Sequence, residues 1–356
     1  MARDPLFDDL DESQRAAVTA EGAPLAILAP AGSGKTRVLT RRIAWSAREG
    51  RADPARVLAV TFTRIAAGEL RGRLRTLGVE GAVTAGTFHA LALAQLRRRA
   101  SDQKRDLPSL LDRKGRILGP LLGLHGPEAA VAITETAAEI EWAKARCLRP
   151  EELAHAAEAS RRRLPRPAHE LADLYARYEA EKRRRRLLDF DDLLWWCAEA
   201  VETDPEFAAS QRFRFRHLFV DEFQDVSPAQ LRLVRAWLGD RRDLCVVGDD
   251  AQAIYGFAGA DPSALSDFER HFPGAEVVRL RLNYRSTPQV IAASAAALSG
   301  DSGVRRPMPG AVVDAGPVPA VTAYPTDDDE TAGVARALAA AHSRGCRGGR
   351  WRCSTG

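Results

Sequence analysis

Short apolar runs rich in Val, Ile and Leu punctuate the chain at residues 25–28, 57–62, 82–88, 217–220, 244–247 and 276–280, with stretches of helical periodicity between them. Continuous runs of this length are the pattern of strands buried on both faces. Their alternation with helices predicts an α/β fold, a parallel sheet with helices on both sides. Between about residues 90 and 190 the rhythm stops. That stretch has no strand signal, is rich in Ala, Leu, Glu and Arg, and is broken by Pro and Gly at 119–127, Pro150 and 165–167, which predicts an all-helical insertion. Past Arg285 the pattern predicts a helix at 288–298, a Gly/Pro-rich connection at 300–319, a strand at 321–324 and a helix at 329–342. These would open a second α/β unit that has no room to finish.

Composition narrows the class. A chain of 356 residues, 45% apolar and 28% charged, is long enough for more than one core. It has no apolar stretch of membrane-spanning length, and its acidic first ten residues lack a signal-peptide core, so a cytoplasmic protein without membrane contact is expected. The five cysteines, Cys147, Cys197, Cys245, Cys346 and Cys353, form no C-x-x-C pair, which argues against a zinc ribbon, an iron–sulfur cluster or a disulfide framework. A formal net charge of +4 does not single out a nucleic-acid binder. Basic runs at 97–99, 161–163 and 182–186 could track a phosphate backbone, although each alone reads more simply as a solvated helix face.

The first chemistry follows the first strand directly, at Ala29-Pro30-Ala31-Gly32-Ser33-Gly34-Lys35-Thr36, with Arg37 next. Small residues let such a loop wrap a triphosphate with its backbone N–H groups, and the N-terminus of the following helix adds a favourable dipole. Lys35 would reach the β- and γ-phosphates and Thr36 would ligate magnesium. Ala29 stands where the usual pattern has glycine; the strand–loop–helix context supports a P-loop all the same. Such a loop needs an acidic partner on a neighbouring strand, which Phe219-Val220-Asp221-Glu222 supplies. Asp221 would hold the metal through water, and Glu222 would orient or deprotonate the attacking water.

Beyond these motifs the chain resembles the UvrD/Rep-type superfamily 1 DNA helicases. The resemblance rests on Leu10-Asp11-Glu12-Ser13-Gln14, Thr61-Phe62-Thr63-Arg64-Ile65-Ala66-Ala67, Gly86-Thr87-Phe88-His89, Asp189-Phe190-Asp191-Asp192, Asp221-Glu222-Phe223-Gln224-Asp225, Gly248-Asp249-Asp250-Ala251-Gln252-Ala253-Ile254-Tyr255 and Asn283-Tyr284-Arg285-Ser286, in the family's order. It implies ATP and Mg2+ as cofactors and single-stranded DNA as partner. It also implies that Gln14 reads the adenine edge, for which a planar amide that both donates and accepts is suited. Tyr284 would stack on the base, Arg285 would meet the γ-phosphate from the second domain, and Gln252 would sense that phosphate. Thr61, Phe62, Thr63, Thr87, Phe88, His89, Tyr255 and Phe257 would lie along the DNA, aromatic faces stacking on bases at about 1–3 kcal/mol each without reading sequence. Phe62 and Phe88 end apolar runs and could equally be core. The chain departs from the commonest family pattern at Arg64-Ile65, where Asn-Lys is frequent, at Phe257, where Trp is common, and at Ala258, where Arg is common.

The resulting division is a P-loop, RecA-like motor domain at 1–90 and 190–280, a helical insertion at 91–189 and the start of a second RecA-like domain at 281–345. Residues 346–356 have neither apolar period, and are expected to be an out-of-frame tail. The buried strand that the resemblance leads one to expect next, written in GC-rich codons and read one base later, translates to this tail. The implied activity is ATP-dependent movement on single-stranded DNA, as a helicase of 3′–5′ polarity in DNA repair or recombination, or as a translocase that strips proteins from DNA. The alternative is a fragment that binds ATP or single-stranded DNA without turnover, since the second domain normally supplies a further arginine to the transferred phosphoryl group.

Overall fold

The structure, a computed structural model, describes residues 4–79, 83–124, 126–302 and 308–343. The chain opens with α1 (Glu12–Thr19), β1 (Leu25–Leu28), α2 (Lys35–Arg48), β2 (Val57–Thr61), α3 (Arg64–Thr76), β3 (Thr84–Thr87) and α4 (Phe88–Asp102). There follow β4 (Ser109–Leu110), α5 (Gly115–Leu122), α6 (Pro127–Ala145), α7 (Leu153–Ala159), α8 (Ala168–Arg184) and β5 (Leu187–Leu188). Next come α9 (Phe190–Thr203), α10 (Pro205–Arg214), β6 (His217–Val220), α11 (Pro228–Leu238), β7 (Leu244–Gly248), α12 (Ser263–Ser266), α13 (Phe268–His271) and β8 (Glu276–Arg279). The last described elements are β9 (Leu282–Asn283), α14 (Pro288–Ser302), β10 (Gly310–Ala311) and α15 (Asp327–Ser343).

Six strands form one parallel sheet in the order β3-β2-β6-β7-β1-β8. Successive side chains in a strand face opposite sides, and here both sides are covered. Ala26, Leu58, Val60, Leu218, Val220, Leu244 and Val246 face α4, α9 and α11. Leu25, Ile27, Val57, Ala59, Phe219, Cys245 and Val247 pack against residues of α1, α2 and α3. That is why these strands read as unbroken apolar runs. A third core of Leu111, Ile117, Leu118, Ile140, Trp142, Leu153, Leu171, Tyr175 and Tyr178 lies within the helical stretch.

The structure departs from the pattern in three places. No strand forms at 321–324: Val318 and Val321 are 81% and 95% exposed, and among the described residues no strand pairs with this segment; β10 pairs with β9. The helical stretch does contain a pairing, of β4 with β5, two residues on each strand. Helix α4 packs into the core shared with the sheet rather than with α5–α8. Cys346, Cys353 and the tail at 346–356 lie outside the described residues. Cys197 and Cys245 are buried free thiols, and burial pushes Cys197 up to about 12, which keeps it protonated and inert. Among the described residues no helix is long and apolar enough to cross a membrane.

Candidate nucleotide site and nucleic-acid face

The residues singled out by motif converge at one edge of the sheet, the carboxyl ends of its strands, where open parallel sheets bind ligands. The P-loop leaves β1, the acidic pair leaves β6 and the Asp249 turn leaves β7, while Thr61–Thr63 and Thr87–His89 leave β2 and β3.

In the P-loop, Gly32 and Gly34 take φ of +74° and +85°, a region L side chains disfavour. A Cβ on Gly32 would also stand 2.6 Å from Asn283 Oδ1 and 2.8 Å from Arg285 Cβ. Gly34 caps α2 without a side chain, so the first N–H groups of that helix are left to the loop. Ser33 Oγ is buried with no hydrogen-bond partner, as fits a loop built around a polyphosphate. Ala29 is 1% exposed and belongs to the core beneath the loop, so its methyl group has a place that glycine would leave empty.

Lys35 reaches from the first turn of α2 to Glu222, Nζ to Oε2 at 2.8 Å. Glu222 holds a left-handed backbone (φ 52°), a strained conformation that aims its carboxylate at the P-loop. Asp221 is buried beneath it; burial first, and the Glu222 charge second, push its carboxyl up to about 6. A divalent cation would reverse that penalty, so the pair suits a metal beside the phosphates. Thr36, the other expected ligand, is half-buried at the same helix start.

From Glu222 a hydrogen-bonded chain leads away from the phosphate loop. Buried Gln224 donates to Glu222 Oε2 at 2.9 Å and accepts from the Asp249 N–H at 3.0 Å. A side chain on Gly248 would collide with this amide, Cβ to Oε1 at 2.7 Å. Asp249 Oδ2 accepts from the Ala31 N–H at 3.0 Å and from Gln252 Nε2 at 2.5 Å. Sequence reading had given Gln224 and Asp249 no separate role.

Gln14 is fully buried, so it is no surface amide. Its Nε2 donates to the Ser33 carbonyl at 2.8 Å and its Oε1 accepts from the Asp11 N–H at 3.2 Å, bracing the P-loop from below. The Tyr284 hydroxyl donates to Asp11 Oδ2 at 2.6 Å; burial and that bond push it up to about 12. The Arg37 guanidinium lies 6.0 Å from the Tyr284 ring centroid. Asn283 was also missed. Its Nδ2 donates to the Ala31 carbonyl at 2.7 Å and its Oδ1 accepts from the N–H groups of Arg285 and Ser286, both at 2.8 Å, fastening the segment after β9 to the P-loop. The Arg285 side chain is exposed.

On the expected nucleic-acid side the residues divide. Tyr255 and Phe257 are 48% and 69% exposed, with ring centroids 6.1 Å apart. Phe62 and His89 are half-exposed and Thr63 is exposed. Thr63 and Thr87 are the N-caps of α3 and α4, accepting from the Ala66 and Ala90 N–H groups. Phe88 needs correction: it is 1% exposed and stacks on Trp237 with an interplanar angle of 2°, so its face is spent in the core and cannot meet a base. Thr61 is likewise 1% exposed, its hydroxyl turned onto the Thr63 carbonyl at 3.0 Å, and so cannot reach a backbone phosphate. Phe190, unlike Phe88, offers an exposed ring on this side. It starts α9, is 46% exposed and stands edge-on to His89. An aromatic inside the Asp189–Asp192 capping box was the available signal. Several members of the basic runs are occupied by partners: Arg99 pairs with Asp204, Arg162 with Glu139, Lys182 with Asp189 and Asp192, and Arg184 and Arg185 with Glu181.

Comparison with known proteins agrees with this geometry. The sequence profile of the UvrD/REP helicase N-terminal domain matches residues 10–273. The ATP-dependent DNA helicase UvrD2 of Mycobacterium tuberculosis (strain ATCC 25618 / H37Rv) is 45% identical over 362 residues, covering 95% of this chain and 51% of the relative. The ATP-dependent DNA helicase UvrD1 of the same strain is 37% identical over 324 residues, 85% of this chain and 41% of its own length. The ATP-dependent DNA helicase PcrA of Leuconostoc citreum is 34% identical over 313 residues, 84% of this chain and 40% of its own. The chain thus spans about half the length of the curated relatives it matches. With P-loop, acidic pair and exposed aromatics gathered at one sheet edge, and with the profile matching most of its length, the chain belongs to the UvrD/Rep helicase family.

Proposed function

We propose that this chain is the nucleotide-binding half of an ATP-dependent DNA helicase or translocase that moves on single-stranded DNA in the cytoplasm, with the 3′–5′ polarity of its family, in DNA repair or recombination. The observation that carries the proposal is the hydrogen-bonded chain Lys35–Glu222–Gln224–Asp249–Gln252, which ends three residues before Tyr255. It links the group poised for hydrolysis to the aromatic face.

In this reading the P-loop N–H groups, Ser33 and Lys35 hold the phosphates of ATP, and Thr36 and Asp221 hold Mg2+. The metal supplies charge neutralisation for the phosphoryl group being transferred. Glu222 leaves Lys35 and takes up the attacking water. Gln252 exchanges Asp249 for the γ-phosphate, and the turn carrying Tyr255 follows. Tyr284 stacks on the adenine, Gln14 holds the loop beneath the nucleotide through Ser33 rather than reading the adenine edge, and Arg285 reports domain closure. Phe62, Thr63, Thr87, His89, Tyr255, Phe257 and Phe190 line the strand. Stacking reads no sequence, so affinity should be sequence-tolerant, and its phosphate component should weaken with salt.

The test is ATP hydrolysis by the purified chain with and without a thymidine homopolymer, alongside Glu222→Gln. DNA-stimulated turnover that the substitution abolishes supports a working motor. Nucleotide and DNA binding with no turnover in either protein supports the alternative of a binding half whose activity needs the rest of the protein. Binding of neither ligand overturns both.

A further inference from the structure

The most exposed aromatic of the nucleic-acid face is tied to the helical insertion. Phe257 lies in a single 3-10 turn, Gly256–Ala258, and its carbonyl accepts from Arg162 Nη1 at 3.2 Å. Arg162 sits just past α7 and is itself fixed on two sides. Its Nε and Nη2 fork onto Glu139 of α6, at 2.6 and 3.1 Å to the two carboxylate oxygens. Its guanidinium lies 4.7 Å from the ring centroid of buried Trp142, also on α6. The side chains of Arg162 and Glu139 are only 18% and 10% exposed, so the fork is shielded and geometrically set. Gly259 then lets the segment lie against α6: its φ is +94°, and a Cβ there would stand 2.6 Å from Ala145 Cβ. The middle residue of a basic run therefore faces inward, onto a carbonyl, and is spent before any phosphate could claim it.

We infer that Arg162 is a positioning residue of the nucleic-acid face, holding Phe257 at the angle from which it stacks on a base. This rests on the functional reading above. The insertion becomes a fixed support on one side of the Tyr255–Phe257 pair, and the Asp249–Gln252 turn is the movable side. A shift begun at Gln252 then changes the relation of Tyr255 to Phe257 instead of carrying both rings together. An arginine is required because the same planar group must fork onto a carboxylate, lie on an indole and still donate to a carbonyl; a lysine ammonium keeps the charge but not that geometry.

The experiment measures binding of the full chain to a thymidine oligomer and to an abasic oligomer of equal length, for the wild type, Arg162→Lys, Phe257→Ala and the double variant. Nucleotide affinity, read with a fluorescent non-hydrolysable ATP analogue, is followed in parallel. The wild type is expected to prefer the thymidine oligomer. Arg162→Lys should lose about threefold to tenfold in affinity for that oligomer alone, a fraction of what one stacked base contributes. It should leave abasic and nucleotide binding unchanged and add nothing to Phe257→Ala. Full retention of the thymidine preference in Arg162→Lys overturns the inference. Equal losses on both oligomers, or loss of nucleotide binding, also overturn it, since these mark general loosening. A wild type that binds both oligomers equally refutes the stacking face itself, and the inference falls with it.

Discussion

Lys35 Nζ stands 2.8 Å from Glu222 Oε2, so the cation that the P-loop would offer to a phosphate is held by the carboxylate proposed to activate water. In the proposed reading nucleotide breaks this pair on binding, and the pair re-forms when phosphate leaves. Glu222→Gln removes both the competition and a negative charge near the phosphates. It is expected to bind a non-hydrolysable ATP analogue about twofold to fivefold more tightly, the range for a partly exposed pair, while losing turnover. Unchanged or weaker binding by calorimetry would show that the pair does not compete with nucleotide.

Asp221 gives the site a pH dependence with a definite sign. Burial, then the Glu222 charge, raises its folded-state pKa to about 6 from the model-peptide 3.8, so the fold favours its protonated form. That stability is fully present below the unfolded value and is withdrawn as pH rises through about 6. Thermal unfolding without metal should show stability falling between about pH 4 and 6, by at most roughly 3 kcal/mol. Asp221→Asn should flatten the part of the slope that Asp221 contributes; Asp225, also raised to about 6, contributes the same sign and remains. An unaltered slope in Asp221→Asn would refute the assignment.

What the sequence made legible, it did through local pattern. The strands at 25–28, 217–220 and 244–247 were readable because both faces of each are covered, which leaves no polar alternation to blur the run. The P-loop was readable because its chemistry lies within eight successive residues. Phe88 was not, because an aromatic at the end of an apolar run looks the same whether it faces solvent or core. The choice is made by Trp237, far along the chain, whose indole N–H is itself anchored on Gln95. The partners of Gln14 and Arg162 were hidden for a related reason: an amide after an N-cap and an arginine in a basic run bond to Ser33 and Phe257, which no spacing rule reaches. The strand expected at 321–324 had the right residues but, among the described residues, no strand to pair with.

Phe88 and Phe257 should fail in different ways. Phe88→Ala empties a core position packed against Trp237 and is expected to cost about 3–5 kcal/mol of stability in urea unfolding, with DNA affinity of the remaining folded protein unchanged. Phe257→Ala should leave the unfolding midpoint in place and weaken single-stranded DNA binding by about 1–3 kcal/mol. A selective DNA defect in Phe88→Ala would mean that its ring leaves the core when DNA binds.

The helical stretch meets the start of α9 through buried charge. Lys144 and Lys182, both 2% exposed, hold Asp189 at 2.8 and 3.0 Å, and both also contact Asp192; the Tyr178 hydroxyl adds a third contact to Asp189 at 2.9 Å. Burial alone would lower the Lys144 pKa. Asp189, Asp192 and Glu179 outweigh it and hold the ammonium well above the ordinary lysine value, so the group stays charged. Such a cluster tolerates loss of one partner poorly, because the charges left behind are shielded from water and only partly compensated. Lys144→Met leaves Asp189 and Asp192 sharing one ammonium, and should cost roughly 3–5 kcal/mol. Hydrogen exchange should locate the damage in α6 and the first turn of α9, beside Phe190, with the P-loop helix α2 still protected. Uniform loss of protection across α2 and α9 would instead mean that the cluster stabilises the whole chain rather than the junction of the helical stretch with the sheet.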